Sequence, residues 1–273
     1  MNTIISNKVN AAAQLAEAAG RIAVASPTLS NTTTHFAVFA MPTLGAGGLQ
    51  VASAVTAGCE SDYDQLSQWF GIQVPHFNVT LAPLSQFIDG TGGAFHEDGA
   101  GTDLYCDVKL NPTVDARVSL ALMVAEAVEV FETLRNVGWD AGASNGKGLS
   151  RVLSAECHPK VLEALGGYTT AAIWLDDLRS DWVNLTNQTD CDPYAIGCAV
   201  LFLNWLHCQL KIGWKEICQA GGSTLAQTYQ RVGGPQLTGE NDGFVAFRKL
   251  LDRHFPLGKD CGLTTTDNPF PLH

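Results

Sequence analysis

The stretch that most restricts how this chain can fold is the apolar run over residues 117–138, RVSLALMVAEAVEVFETLRNVG. Its spacing is that of an α-helix, and its apolar residues lie nearly all the way round the helix rather than on one face. A helix of this kind is typical of a protein interior, because an exposed helix carries a polar face. We therefore predict that residues 117–136 form a central buried helix.

The residues before this helix combine helical and strand patterns. The patterns predict helices over 8–25 and 61–71, the second capped by Ser61, and strands over 35–42, 49–55, 76–84 and 102–110. A glycine-rich loop over 89–101 precedes the last strand. The sequence thus predicts an N-terminal subdomain, 1–136, that contains a small mixed sheet and helices.

The residues after the central helix are mainly helical. Helices are predicted over 149–157, 168–184, 192–212, 213–222, 223–232 and 242–255. The fold class that follows is α+β, with a helical second subdomain over 137–273.

Composition and charge exclude several classes of function. Hydrophobic residues make up 46% of the 273 residues, which is enough for a sizeable core. The formal net charge of −11 opposes binding to nucleic acid or to an anionic membrane surface. No run reaches the roughly 18 apolar residues of a membrane-spanning helix. The N-terminus lacks the basic and apolar regions of a signal peptide. We expect a soluble protein without nucleic-acid or membrane partners, and cytoplasmic and exported locations both remain open.

The eight cysteines include no C-x-x-C pair, which argues against a structural zinc site. Cys198, Cys208 and Cys218 lie in an apolar helical stretch, which favours buried free thiols. The even number of cysteines leaves disulfides open as the alternative.

Two acidic residues interrupt the central helix. Glu126 and Glu129 are three residues apart, so they share a helix face, and the residues around them are apolar. A carboxylate in such surroundings is costly unless it is paired, metal-bound or protonated. These glutamates are therefore the leading candidates for a functional site. In the alternative, one of them lies with Glu132 on a solvent-facing stripe.

The order of parts resembles that of zincin metallopeptidases, and of their gluzincin branch in particular. In a gluzincin the central helix carries H-E-x-x-H, in which two histidines bind zinc and the glutamate is the general base. The corresponding register here is Ala125-Glu126-x-x-Glu129, which keeps the general-base glutamate and lacks both histidines. The resemblance implies a zincin-like fold with a degenerate zinc motif.

Gluzincins take a further zinc ligand, a glutamate, from the next helix in a stretch resembling N-E-x-x-S-D. The segment from Ser144 to Arg151 is similar, and aligning its Ser150 with the serine of that stretch places Lys147 at the ligand position. We predict that the Lys147 ammonium replaces the missing cation and pairs with Glu129 and Glu126. The resemblance also makes Tyr194 a candidate to stabilise an oxyanion, with packing at a helix start as the alternative.

Ser144 is a candidate nucleophile on a different pattern. It is the serine of both a G-x-S-x-G match over 142–146 and an S-x-x-K match with Lys147. Helix capping by Ser144 or Asn145 is the alternative.

The glycine-rich loop and the start of the next strand contain His96, Glu97, Asp98 and Asp103. Oxygen-rich flexible loops suit calcium, although this loop lacks the EF-hand spacing. We expect a solvated loop without metal and no cofactor, and calcium or zinc is the alternative.

These features predict a hydrolase that acts on ester or amide bonds in a cleft between the two subdomains, without catalytic zinc. Glu126 would be the general base, and Glu129 and Lys147 would set its pKa. Tyr194 or Ser144 would assist. The alternative is a non-catalytic relative of these peptidases that binds a peptide or a small molecule. Open access to Glu126 favours catalysis, whereas closure by a Glu–Lys pair favours binding.

Overall fold

The computed structural model describes residues 27–84, 94–96, 102–108, 112–161, 168–189, 191–263 and 268–272. The predicted helix over 8–25 lies outside these residues. The fold class is α+β, as predicted. The chain divides into two compact units: the first comprises the chain up to Tyr63 with Pro75–Glu126, and the second Asp64–Val74 with the chain from Ala127 onwards. The sequence places the boundary near residue 136, whereas the units divide between Glu126 and Ala127.

A mixed sheet lies in the first unit. Its strands are β1 (Thr28–Thr32), β2 (Phe36–Ala40), β3 (Phe77–Ala82), β4 (Ala94–His96) and β5 (Asp103–Asp107). The described residues arrange them in the order β1-β2-β3-β5-β4, with β2, β3 and β5 parallel and the two edge strands antiparallel. The parallel register sets Phe36 beside Phe77 and Val38 beside Val79. Almost every residue of β3 is buried, as expected for the middle of a parallel sheet.

One long helix, α1 (Gly45–Phe70), connects β2 to β3 after a short 3-10 turn, Pro42–Leu44. The predicted strand over 49–55 is therefore wrong, and Ser61 lies inside a helix rather than at its N-cap. Val51, Val55 and Cys59 are all buried at intervals of four residues, so the apolar pattern has the helical period rather than the alternation of a strand.

The second long helix, α2 (Pro112–Arg135), confirms the predicted central helix. Its residues up to Glu126 belong to the first unit and those from Ala127 onwards to the second. Met123, Val128 and Phe131 are buried, as the apolar sequence predicts.

The second unit is helical in its described part. Its further helices are α3 (Ser144–Cys157), α4 (Thr169–Asp176), α5 (Pro193–Asn204), α6 (Trp214–Ala220), α7 (Leu225–Arg231), α8 (Gly234–Thr238) and α9 (Gly243–His254). A π-helical turn, Trp205–Gln209, follows α5 directly. Helix α5 is buried from Ala195 to Asn204 and packs against α3 and α4. A Cβ at Gly197 would lie 1.9 Å from the Thr170 carbonyl oxygen, so the close approach of α4 and α5 needs a glycine there.

Helix α4 ends earlier than the predicted 168–184. Its last residue is Asp176, and Arg179 adopts the left-handed region with φ 55°. The Arg179 side chain turns inward and donates to the Leu175 carbonyl oxygen and to Asp252 at 2.8 and 3.0 Å. This buried arginine fixes the chain where the helix stops.

The aromatic side chains of the second unit form a packed core. Trp205 lies 5.2 Å from Phe202, 5.9 Å from Tyr229 and 5.4 Å from Phe247 between ring centroids. All eight cysteines are described and are free thiols, and burial raises the pKa of Cys59 to about 11. Among the described helices, none has the length and apolar character needed to cross a membrane.

Candidate functional site

Three glutamates of α2 are buried together with its apolar residues. Glu126 is 9% exposed, Glu129 3% and Glu132 0%. The alternative in which Glu132 lies on a solvent-facing stripe is therefore wrong. Glu126 belongs to the first unit, where burial raises the pKa of the Cys106 thiol and the Glu126 charge raises it further.

In the second unit, Glu129 forms the predicted ion pair with Lys147. The Lys147 Nζ lies 2.9 Å from Oε1 and 2.9 Å from Oε2 of Glu129. The Glu129 side chain is 5% exposed and that of Lys147 is 19% exposed, so the pair is largely removed from water. An ammonium that binds both oxygens of a carboxylate compensates its charge by charge-assisted hydrogen bonds.

Two further residues of α3 interact with the same carboxylate, one by a hydrogen bond and one by its charge. Ser150 Oγ lies 3.4 Å from Glu129 Oε1, to which it donates a hydrogen bond. Burial lowers the pKa of the half-buried Arg151, and the charge of Glu129 opposes that change. Lys147, Ser150 and Arg151 are spaced i, i+3 and i+4, so one face of α3 presents two hydrogen-bond donors and a further positive charge to Glu129.

Glu132 is a second buried carboxyl beside this pair. Within the described residues, neither of its oxygens has a hydrogen-bond partner. Burial raises its pKa well above the usual value, the charges of Glu129 and Asp140 raise it further, and Lys147 opposes them. These effects favour the protonated, uncharged form. The sequence patterns name Glu132 only in the solvent-facing alternative, although its position three residues after Glu129 in an apolar helix is the signal that singled out Glu129.

The first turn of α3 lies against Glu132. A Cβ at Gly146 would lie 2.5 Å from Glu132 Oε2 and 2.3 Å from the Asp140 carbonyl oxygen. Asn145 Nδ2 donates to the carbonyl oxygens of Gly138 and Gly222 at 3.3 and 3.0 Å. These contacts fix the start of α3, and hence the position of Lys147 one turn along it.

Ser144 is buried, and its hydroxyl is bound to the backbone of a neighbouring segment. Its side chain is 1% exposed, and its Oγ accepts a hydrogen bond from the Asn187 N–H at 3.1 Å. The Lys147 ammonium is turned to Glu129, so the S-x-x-K match does not correspond to a hydrogen-bonded serine–lysine pair. The alternative, capping of the helix by Ser144 or Asn145, is wrong, because the N-cap of α3 is Ala143.

Tyr194 lies at the start of α5 and is 42% exposed. The N-cap of that helix is Asp192, whose carboxylate accepts hydrogen bonds from the Tyr194 and Ala195 N–H groups. In the described part of the chain the Tyr194 side chain makes no hydrogen bond. The structure does not bring it into contact with the Glu129–Lys147 pair.

The loop in which calcium is the alternative to solvent is only partly described, because Glu97 and Asp98 lie outside the described residues. His96 ends β4, and Asp103 begins β5 and accepts a hydrogen bond from Asn78 Nδ2 at 2.7 Å. Calcium binding there stays an untested alternative.

Elsewhere in the described residues, one group brings three potential ligand atoms within 4.8 Å of one another: Asp176, Asp260 and Cys261. The sequence analysis did not single out this mostly exposed group. Asp176 Oδ1 accepts the Cys261 N–H at 2.9 Å, so the contact also has a structural role.

The residues at the register of the zinc motif do not fit a zinc ion. Zinc needs three or four nitrogen, sulfur or oxygen ligands. The Ala125 methyl group offers no ligand atom, and both oxygens of Glu129 bind the Lys147 ammonium. A cation at this point would be repelled by that ammonium.

Comparison with known proteins found no relative: no protein-family model matches the chain, and no curated protein matches it. The zincin-like resemblance therefore stays a prediction.

Proposed function

We propose that the protein is a non-catalytic relative of gluzincin-type metallopeptidases, in which an internal ion pair has replaced zinc, and that it binds a peptide or a small molecule. The observation that carries this proposal is the contact of Lys147 Nζ with both oxygens of the buried Glu129. In a zinc hydrolase this register supplies a ligand to the metal. Here its oxygens are occupied by a side chain of the protein itself.

The surrounding groups also favour a structural role for the pair. A general base must come within hydrogen-bond distance of the proton that it removes, directly or through one water. Glu132 has no exposed surface, and Ser144 is buried with its Oγ bound to Asn187. The hydrolase predicted from the sequence, with Glu126 as general base, stays a prediction that the same experiment addresses.

The experiment combines metal analysis with a turnover assay on one purified sample. Metal content is measured by elemental mass spectrometry, and hydrolysis is measured on a broad panel of ester and peptide substrates, with and without a chelator. We expect neither stoichiometric zinc nor turnover. Stoichiometric zinc with turnover that the chelator abolishes would overturn the proposal.

Matched variants decide the origin of any turnover that resists the chelator. Such turnover, if lost in Glu126→Gln and retained in Ser144→Ala, identifies the metal-free hydrolase and overturns the binding role. Loss in Ser144→Ala alone would assign a serine nucleophile and would also overturn it.

A further inference from the structure

A cavity of about 490 Å³ opens on the surface of the second unit. Three segments line it: the π-helical turn with Leu210, the residues from Leu237 to Glu240, and one face of α9. Its volume lies within the range of sites that bind small molecules. None of the sequence patterns points to this region.

The π-helical turn shapes one wall of the cavity. The Leu210 N–H donates to the Trp205 carbonyl oxygen at 3.2 Å, a bond between residues five apart that widens the helix by one residue. Residues Trp205, Gln209 and Leu210 therefore line the same wall.

A face of α9 forms a second wall and carries the two positive charges of the cavity, Lys249 and Arg253. Ala246, Lys249, Leu250 and Arg253 line the cavity at the spacing i, i+3, i+4 and i+7, which is one helix face. Lys249 Nζ forms an ion pair with Glu240 Oε2 at 2.8 Å. In the described chain Arg253 has no ion-pair partner. The cavity is therefore lined by two cations and one anion, so one positive charge is left uncompensated.

The remaining wall is held in place before any ligand binds. Tyr229, which is buried in the aromatic core, donates its hydroxyl proton to the Glu240 carbonyl oxygen at 2.6 Å. The Glu240 N–H in turn donates to Thr238 Oγ1 at 3.1 Å. Beside them, the apolar side chain of Leu237 is 56% exposed. A wall that is already fixed needs little ordering when a ligand binds, which favours affinity.

We propose that this cavity binds a small apolar monocarboxylate, which names the ligand class of the binding function proposed above and rests on it. The Arg253 guanidinium binds the carboxylate, since its planar fork matches the two oxygens. The hydrocarbon part packs against Trp205, Leu210 and Leu237. The net charge of −11 does not exclude an anion here, because charges beyond the Debye length of about 8 Å are screened at physiological salt.

Octanoate is the probe, and its binding to the full chain is measured by isothermal titration calorimetry. Octan-1-ol and octylammonium have the same chain length and separate the contribution of the carboxylate from that of the hydrocarbon. We expect saturable binding of octanoate, and binding of both other compounds at least tenfold weaker. Absence of saturable octanoate binding, or equal affinity for octylammonium, would overturn the proposal.

Two arginine variants locate the site. Arg253→Gln removes the proposed carboxylate-binding group, and we expect it to lower octanoate affinity about tenfold, as loss of a charged hydrogen bond does. Arg248→Gln removes the same charge from α9 outside the cavity, where Arg248 Nε lies 3.4 Å from Asp252, and we expect unchanged affinity. Equal losses in both variants would show an unspecific charge effect and overturn the assignment.

The failure of this inference is distinct from failure of the proposed function. Stoichiometric zinc with chelator-sensitive turnover refutes the non-catalytic role, whether or not the protein binds octanoate. Conversely, a metal-free, inactive protein that does not bind octanoate keeps the non-catalytic role and loses this ligand assignment.

Discussion

Replacing Lys147 by methionine leaves the Glu129 carboxylate buried without the ammonium that binds both of its oxygens. Removing one partner of a buried ion pair costs roughly 3–5 kcal/mol. Lys147 is 19% exposed, and Ser150 and Arg151 remain near Glu129, so part of the carboxylate charge stays compensated. We therefore expect a loss at the lower end of that range, about 3 kcal/mol at pH 7.

Chemical denaturation monitored by circular dichroism measures this loss as a lower denaturant midpoint with an unchanged slope. The double variant Glu129→Gln/Lys147→Met removes both charges, and we expect it to recover more than half of the lost free energy of unfolding. Lys215→Met is the matched control, because Lys215 is an exposed helix residue, and it should change the free energy by less than about 0.5 kcal/mol. A cost below about 1 kcal/mol for Lys147→Met, or no recovery in the double variant, would refute the ion-pair reasoning.

Two further substitutions test the groups around the pair. The pKa of Glu132 is raised above 4.5 in the folded state. As the pH rises above 4.5, the Glu132 carboxyl therefore ionises in the unfolded chain while it stays protonated in the folded protein. Because this ionisation favours the unfolded chain, the wild type loses stability as the pH rises. Glu132→Gln cannot ionise, and its stability relative to wild type should increase between pH 5 and pH 8 in denaturation curves; a difference independent of pH would contradict a raised pKa. Gly146→Ala adds a Cβ 2.5 Å from Glu132 Oε2 and should lower the free energy of unfolding by about 2 kcal/mol. The control is Gly142→Ala, whose Cβ lies 3.4 Å from Asp140 Oδ1, and it should lower the free energy of unfolding by less than about 1 kcal/mol. Equal effects of the two alanines would show that Gly146 is not needed for close packing.

The sequence predicts much of this fold because long apolar patterns leave few choices. The central helix, the strands at 35–42, 76–84 and 102–110, and the helical second half are all present with shifted ends. The strand predicted over 49–55 fails because a short apolar segment satisfies helical and strand periods equally well. Glycines near the starts of α1 and α3 add to the error, since they resemble turns in sequence and allow close packing inside helices in the structure.

The candidate site shows where sequence reasoning reaches its limit. The resemblance to the gluzincin stretch places Lys147 at the position of a zinc ligand, and the buried Glu129 carboxylate needs a cation as its partner. The alternative that places Glu132 on a solvent-facing stripe fails because periodicity cannot show which side of an apolar helix is covered by later segments. The cavity lined by Trp205, Leu237 and Arg253 is also not predicted from the sequence, because a π-helical turn changes which residues share a helix face.

The division of the chain into units has a consequence for how the protein can be cut into pieces. The short segment Asp64–Val74 belongs to the second unit, although it is flanked in sequence by parts of the first. Within that segment Phe70 lies 5.4 Å from Phe131 between ring centroids, and the Trp69 carbonyl oxygen accepts a hydrogen bond from Gln219. A fragment that starts at Ala127 therefore lacks part of its own hydrophobic core. A fragment that ends at Glu126 carries the segment 64–74 without the residues that it packs against, because the two units are interleaved along the chain.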